Sequence, residues 1–189
     1  VVGTGEENAF WPLPNVLRQF LNISENADSV TQRLRLSDQV SEILRGAPAS
    51  QITETTHLLG YVAGVQFPGS PLLKSLQADQ NLMLRKLHEA LVFALRAGLQ
   101  DQPTVCIFDN AHKAPDETLK FALDLFNALG SVPLCVVSAT SKEQFSLFKD
   151  SVVRLYLEPL SDDVMYRLFR EFMPRLVNPP TELVDAAVN

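Results

Sequence analysis

The sequence lacks the feature that would most directly assign nucleotide chemistry. None of its lysines follows a glycine, so the phosphate-binding loop pattern G-x-x-x-x-G-K-S/T is absent. Gly64 and Gly69 have the spacing of that loop, but Ser70 and Pro71 follow where Lys and then Ser or Thr are required. Proline at that place would also remove a backbone N–H donor. The sequence therefore predicts no polyphosphate-binding loop within these residues.

Other enzyme signatures are missing as well. No serine lies in the G-x-S-x-G pattern of a hydrolase nucleophile, and the acidic residues show no convincing catalytic pairing. The three histidines, His57, His88 and His112, are far apart, and no pair of ligands has zinc spacing. His57 and His88 fall on predicted helices. His112 falls in a predicted loop, where its ring could reach a ligand.

Positive charge, cysteine and long apolar runs are also scarce. Sixteen Lys and Arg against 22 Asp and Glu give a formal charge of −6, which argues against a nucleic-acid partner. No run reaches the roughly 18 apolar residues that cross a bilayer, and no secretory leader is recognisable, so no membrane partner is expected. Cys106 and Cys135 lie in predicted strands and are expected to be buried, unbridged thiols in the cytoplasm. Because Val1 is not an initiator methionine, we expect a segment of a longer polypeptide.

A short strand that ends in an acid is the clearest positive signal. Residues 105–108 are all apolar, with Pro103 before them and Asp109 and Asn110 after them. This pattern predicts a parallel strand covered on both faces. An acid at the carboxyl end of such a strand stands where these sheets bind ligands, as the magnesium-holding Walker B acid does. The alternative is that Asp109 only opens a turn.

Periodicity predicts a helical first half and an alternating second half. Predicted helices cover about 14–21, 28–45, 50–63, 72–76 and 78–97, the last closed by Gly98. The second half is predicted as strand 104–109, helix 116–129, strand 134–137, helix 142–148, strand 152–157 and a helix from Ser161, with Val164, Leu168 and Phe172 inward. This order predicts a parallel sheet with right-handed crossovers.

Four segments together resemble the signal-transduction ATPases with numerous domains (STAND), which are AAA-like regulators. Residues 109–119 are similar to their Walker B pattern, roughly D-D/E-x-H-W-x-D-P-x-S/T-L after an apolar strand. The positions that fit are Asp109, Ala111, His112, Ala114, Thr118 and Leu119. Residues 3–13 resemble the G-x-G-x-x-x-x-F/Y-x-P-L segment, residues 136–140 the sensor-1 strand end, and residues 157–161 the L-x-P-L-S/T opening of the lid.

The resemblance implies an α/β fold, a three-layer parallel sheet of the P-loop NTPase (AAA-like) type whose central phosphate-loop strand is absent. The core would span 1–160, with a helical insertion over about 14–98, and 161–189 would begin a truncated helical lid. ATP and Mg²⁺ would bind only in the complete parent protein, with Asp109 toward the metal and Thr140 and His112 near the nucleotide. Asn110 would hold the catalytic position beside Asp109.

The departures from that family affect the expected activity. Asn110 replaces the second acid that would polarise water, and an amide cannot accept that proton, so hydrolysis is doubtful. Lys113 replaces a tryptophan, and Pro115-Asp116 inverts the usual order. The alternative is a degenerate module that acts through protein contacts in regulation or assembly. A third reading is an unrelated flavodoxin-like or helical adaptor domain. Expected partners are other domains of the parent chain or other proteins, with self-association through open sheet edges.

Overall fold

The computed structural model describes residues 13–140 and 153–172. The chain divides into two compact units, Val1–Lys149 and Asp150–Asn189. The described elements of the first unit are α1 (Leu13–Phe20), α2 (Ser29–Ile43), α3 (Ala49–Ala63), α4 (Pro71–Leu76), α5 (Gln80–Leu99), β1 (Thr104–Phe108), a 3-10 turn (Ala111–Lys113), α6 (Asp116–Ala128) and β2 (Leu134–Ser138). The second unit contains α7 (Asp162–Phe172). The predicted helices that fall on described residues are confirmed, with shifts of a few residues at their ends.

Local capping explains where several helices begin and end. The Asp28 carboxylate accepts hydrogen bonds from the N–H groups of Val30 and Thr31 at 2.9 and 3.0 Å, and so starts α2. Asp79 starts α5 in the same way. Helix α3 ends at Gly64, whose φ of 72° lies in the left-handed region that glycine adopts without a Cβ clash.

The core of the first unit is helical, and α3 is at its centre. Helix α3 packs against α1, α2, α4 and α5, while α5 also contacts α6. The largest side chains with almost no exposed surface are Leu21, Leu36, Val40, Leu58, Leu59, Val62, Leu87, Leu125 and Leu129. Within the described ranges, no helix is both long and apolar enough to cross a membrane.

Gly98 corrects the predicted end of α5. The sequence predicts that the helix ends at this glycine, but α5 continues to Leu99. A Cβ added at Gly98 would lie 2.5 Å from Cζ of Phe20 and 3.2 Å from its Cε2. The glycine is therefore explained by the close approach of α5 to the Phe20 ring, and not by a helix stop.

The predicted three-layer parallel sheet is wrong for the described residues. They contain seven α-helices and one sheet of two parallel strands, β1 and β2. Cys106 and Phe108 of β1 are buried on the helical side, where Phe108 packs against Phe126 of α6 with ring centroids 5.7 Å apart. On the other face, Val105 and Ile107 are 62% and 67% exposed. Within the described residues, β1 is therefore buried on one face only. Its four consecutive apolar residues led to the wrong prediction that both faces are buried.

The predicted third strand is also wrong in its described part. Residues 153–157 have no strand structure, and Val153, Leu155 and Leu157 are at least 84% exposed. In the same unit, α7 starts one residue after Ser161, as the capping pattern predicted. Its Val164, Leu168 and Phe172 are exposed, which contradicts the predicted inward face.

Three expectations lie outside the described residues. These are residues 3–12, which contain the Gly-x-Gly pattern, the helix over 142–148, and the lid beyond residue 172.

Gly60, in the middle of α3, provides a test of core packing. A Cβ there would lie 2.5 and 2.9 Å from Cε2 and Cδ2 of Phe67, and 3.0 Å from the carbonyl oxygen of Val65. We expect Gly60→Ala to lower the free energy of unfolding by about 1–2 kcal/mol, since overpacking outweighs the gain in helix propensity. Urea denaturation measures this. The matched control Ser50→Ala, on the exposed part of α3, should change stability by less than about 0.5 kcal/mol. A Gly60→Ala protein at least as stable as the wild type would contradict the packing argument.

His57 predicts a dependence of stability on pH. Its Nδ1 lies 3.0 Å from Oγ of the buried Ser70, and its ring lies 4.6 Å from that of Phe67. Burial lowers the pKa of His57 below its ordinary value of 6.5. The folded state therefore favours the neutral ring, and this contribution to stability is present above pH 6.5 and is lost as the pH falls below it.

The variant His57→Asn keeps a polar atom near Ser70 but does not titrate. We expect the loss of unfolding free energy between pH 7.5 and 5.5 to be smaller in this variant than in the wild type. Urea titrations at the two pH values measure the loss in each protein. Because the two proteins have the same carboxylates, the difference between the losses is due to His57. Equal losses in the two proteins would show that His57 does not contribute.

Candidate functional site at the strand ends

The two strands end side by side, which places the residues that follow them at one edge of the sheet. Their parallel register pairs Thr104 with Leu134 and Phe108 with Ser138. The pairing continues past the strands, because Ala139 N–H donates to Phe108 O at 2.8 Å and Ala111 N–H donates to Ala139 O at 2.9 Å. These bonds fix the loop after β1 against the loop after β2.

Asp109 is the first residue after β1 and is exposed to solvent. One carboxylate oxygen, Oδ1, accepts the N–H of Asn110 at 2.8 Å. This bond, from the next residue in the chain, holds the side chain close to its own backbone. Both roles considered from the sequence are thus compatible with the geometry, since the bonded carboxylate still has lone pairs available to a cation.

Asn110 turns the chain sharply at the end of the sheet. Its backbone has φ 55° and ψ 37°, in the left-handed region. Asparagine is one of the few non-glycine residues that adopt this conformation readily. The turn starts the 3-10 segment and brings Ala111, which is 1% exposed, under the loop.

The other candidate residues lie in the same two loops. His112 is half-buried in the 3-10 turn, and Thr140 is exposed two residues after the end of β2. The sequence-predicted positions Asp109, Asn110, His112 and Thr140 are thus all in the segments that directly follow β1 and β2. Their roles toward nucleotide or metal stay predictions.

The described residues at this edge offer few side chains that could bind a metal ion. In the part of the chain that the structure describes, no three His, Cys, Asp or Glu side chains are grouped so that they could hold a metal ion. Magnesium that is bound with a nucleotide commonly takes only one or two carboxylates, and phosphate oxygens and water supply its other ligands. Asp109 fits the role of such a single carboxylate.

Two backbone contacts of this site were not predicted from the sequence. Ala111 and Ala139 hold the loops together through their peptide groups, so neither needs a distinctive side chain. The small size of Ala111, next to the acid and the turn, is the only signal of its buried position.

Comparisons with known proteins add no family assignment. No protein-family model, no curated protein and no solved structure matches the chain.

The two cysteines of the strand pair predict different reactivities. Cys106 is buried on the helical face, and burial raises its pKa to about 11. Cys135 pairs with Val105 in the register and so lies on the open face, where it is exposed, contrary to the expectation that both thiols are buried. Both are free thiols, as predicted.

Because the thiolate is the reactive species, we expect Cys135 alone to react rapidly with Ellman's reagent at neutral pH. Cys106 should react only after the protein unfolds in urea. The absorbance of the released product counts the thiols in each phase. In Cys135→Ser the fast phase should vanish and the slow one remain, and a persistent fast phase would contradict the burial of Cys106.

Proposed function

We propose that this chain carries the magnesium-facing part of a nucleotide-dependent regulatory switch of the kind that STAND ATPases form. The observation that supports this most is the parallel register, which brings the loop of Asp109 and the loop of Thr140 to the same edge of the sheet. A carboxylate at the end of one strand and a hydroxyl at the end of its neighbour suit a metal ion and a terminal phosphate, respectively.

The proposed division of roles follows from the chemistry of each side chain. Asp109 would hold magnesium, and Thr140 would donate a hydrogen bond to a phosphate oxygen. His112 would contact the nucleotide from the turn. Asn110 can orient water but cannot take its proton, so the switch would respond to binding with little or no hydrolysis.

The chain by itself is not expected to bind nucleotide. Its sequence contains no G-x-x-x-x-G-K-S/T segment, so the backbone amides and the lysine that cradle the phosphates would have to come from outside these 189 residues. ATP and magnesium would then bind where this sheet edge meets that loop.

A second candidate function is a protein-contact module without nucleotide chemistry. The observation that favours it is the open face of the sheet, where the apolar side chains of Val105, Ile107 and Val137 are 46–67% exposed. Exposed apolar surface of this kind is typical of contact sites. Asn110 and the missing loop are also consistent with it.

A titration with ATP tests the proposal in two steps. For the 189-residue chain, calorimetry with magnesium should detect no binding tighter than about 1 mM. In a longer natural polypeptide that also contains a G-x-x-x-x-G-K-S/T segment, ATP should bind, and Asp109→Asn should weaken the magnesium-dependent affinity about tenfold or more, because it removes the carboxylate charge from the metal.

The control for charge alone is Asp101→Asn, which removes an exposed acid from the loop before β1 and should leave the affinity unchanged. Micromolar ATP binding by the 189-residue chain would contradict the first expectation. Two outcomes would reject the nucleotide proposal in favour of the protein-contact function. One is a natural polypeptide that contains no phosphate loop, and the other is an equal effect of Asp109→Asn and Asp101→Asn on the affinity for ATP.

A further inference from the structure

Strand β2 has an outer edge to which no strand within the described residues is hydrogen-bonded. Its residues Cys135, Val136, Val137 and Ser138 are all exposed, whereas Leu134, at the start of the strand, packs against the core. In contrast, β1 is buried on one face by the helices. A second strand can therefore approach β2 from outside without displacing a helix.

The hydrogen bonds to β1 identify the peptide groups that this edge offers. Thr104 N–H donates to Pro133 O, and Ala139 N–H donates to Phe108 O. Because hydrogen bonding alternates along a parallel strand, Cys135 and Val137 direct their peptide groups to β1. Those of Val136 and Ser138, together with the carbonyl of Leu134, are directed to the open edge.

The edge also lacks the devices that normally prevent strand addition. The sequence from Leu134 to Ser138 contains no charged residue, no proline and no glycine. Natural edge strands usually carry a lysine, a proline or a bulge to block pairing with another chain. An uncharged strand can pair with a copy of itself without placing like charges opposite each other.

We propose that the outer edge of β2 binds the β2 strand of a second copy of this chain in antiparallel orientation. A two-fold axis would pass beside Val136, so that Val136 pairs with the same residue of the other copy and Leu134 pairs with Ser138. The product is a continuous four-stranded sheet. This inference does not depend on nucleotide binding.

The antiparallel orientation follows from the symmetry of the contact. Two identical edges related by a two-fold axis run in opposite directions, and this arrangement is closed, because both copies use the same edge of β2. Val136 N–H and C=O would each find a partner on the other copy. Leu134 N–H already donates to Val132 O at 2.8 Å, so this end of the strand contributes its carbonyl only.

The net charge predicts how this dimer responds to salt. Each copy carries a formal charge of −6, so two copies repel each other at low ionic strength. The contact itself is uncharged and is not weakened by screening. The dimer should therefore become stronger as salt rises from about 0.01 to 0.15 M, over which the Debye length falls from about 30 to 8 Å.

Sedimentation of the 189-residue chain tests the proposal, with a concentration-dependent dimer as the expected result. Val136→Pro removes an outward N–H without breaking a bond to β1. By symmetry two such donors are lost, so the dimer dissociation constant should rise about tenfold or more. Val136→Lys places two like charges at the axis and should abolish the dimer. Far-UV circular dichroism verifies that each variant is folded. If the Pro variant is unfolded, the Lys variant carries the test.

Cross-linking tests the position of the axis. In a Cys135→Ser background, Val136→Cys should be linked between copies by a short bismaleimide, since paired residues lie about 5.5 Å apart at Cα. The matched control Val105→Cys is exposed on β1, away from this edge, and should not be linked. A chain that stays monomeric to about 1 mM, a dimer that salt dissociates, or a dimer unchanged by both substitutions at Val136 would overturn the proposal.

Discussion

The parallel hydrogen bonding of β1 and β2 is the constraint on which the candidate site depends. Two parallel strands cannot be joined by a tight turn, so the chain has to cross over, and α6 is that crossover. Leu125 and Leu129, each 1% exposed, fix the crossover to the helical core. Both strands therefore end at the same edge, and Asp109 and Thr140 follow them there. Antiparallel strands would place these two residues at opposite ends of the sheet.

Among the described residues, the sheet is stabilised from one side only. A pair of strands is marginal without a surface to pack against, and here the helical core supplies it through Cys106 and Phe108. The opposite face, with Val105 and Ile107, and the outer edge of β2 remain open in the described residues. The two proposals use different parts of this opening. Nucleotide binding needs a phosphate loop beside the strand ends, whereas the dimer needs only the edge of β2.

The helices were predictable because their signals are local. Asp28 and Asp79 cap the helices that they precede, and Gly64 ends α3 with a left-handed residue, all of which can be read from neighbouring positions. The position of Asp109 directly after a parallel strand was also predicted, since β1 ends at Phe108 and pairs in parallel with β2. Coverage of a strand is not local, so the apolar run of β1 did not reveal that only one face is buried. Gly98 was misread for the same reason, since the Phe20 ring that explains it is distant in sequence.

Asn110 can be explained without any catalytic role, by the backbone conformation of the turn that it forms. The position has a left-handed backbone, in which asparagine and aspartate are both favoured over other side chains. An acid at the corresponding place in an ATPase could satisfy the same turn and also polarise water. Replacement by asparagine would keep the turn and remove only the proton acceptor. In the proposed switch, the sheet edge would thus keep the geometry of the turn, while no side chain at this position could deprotonate water.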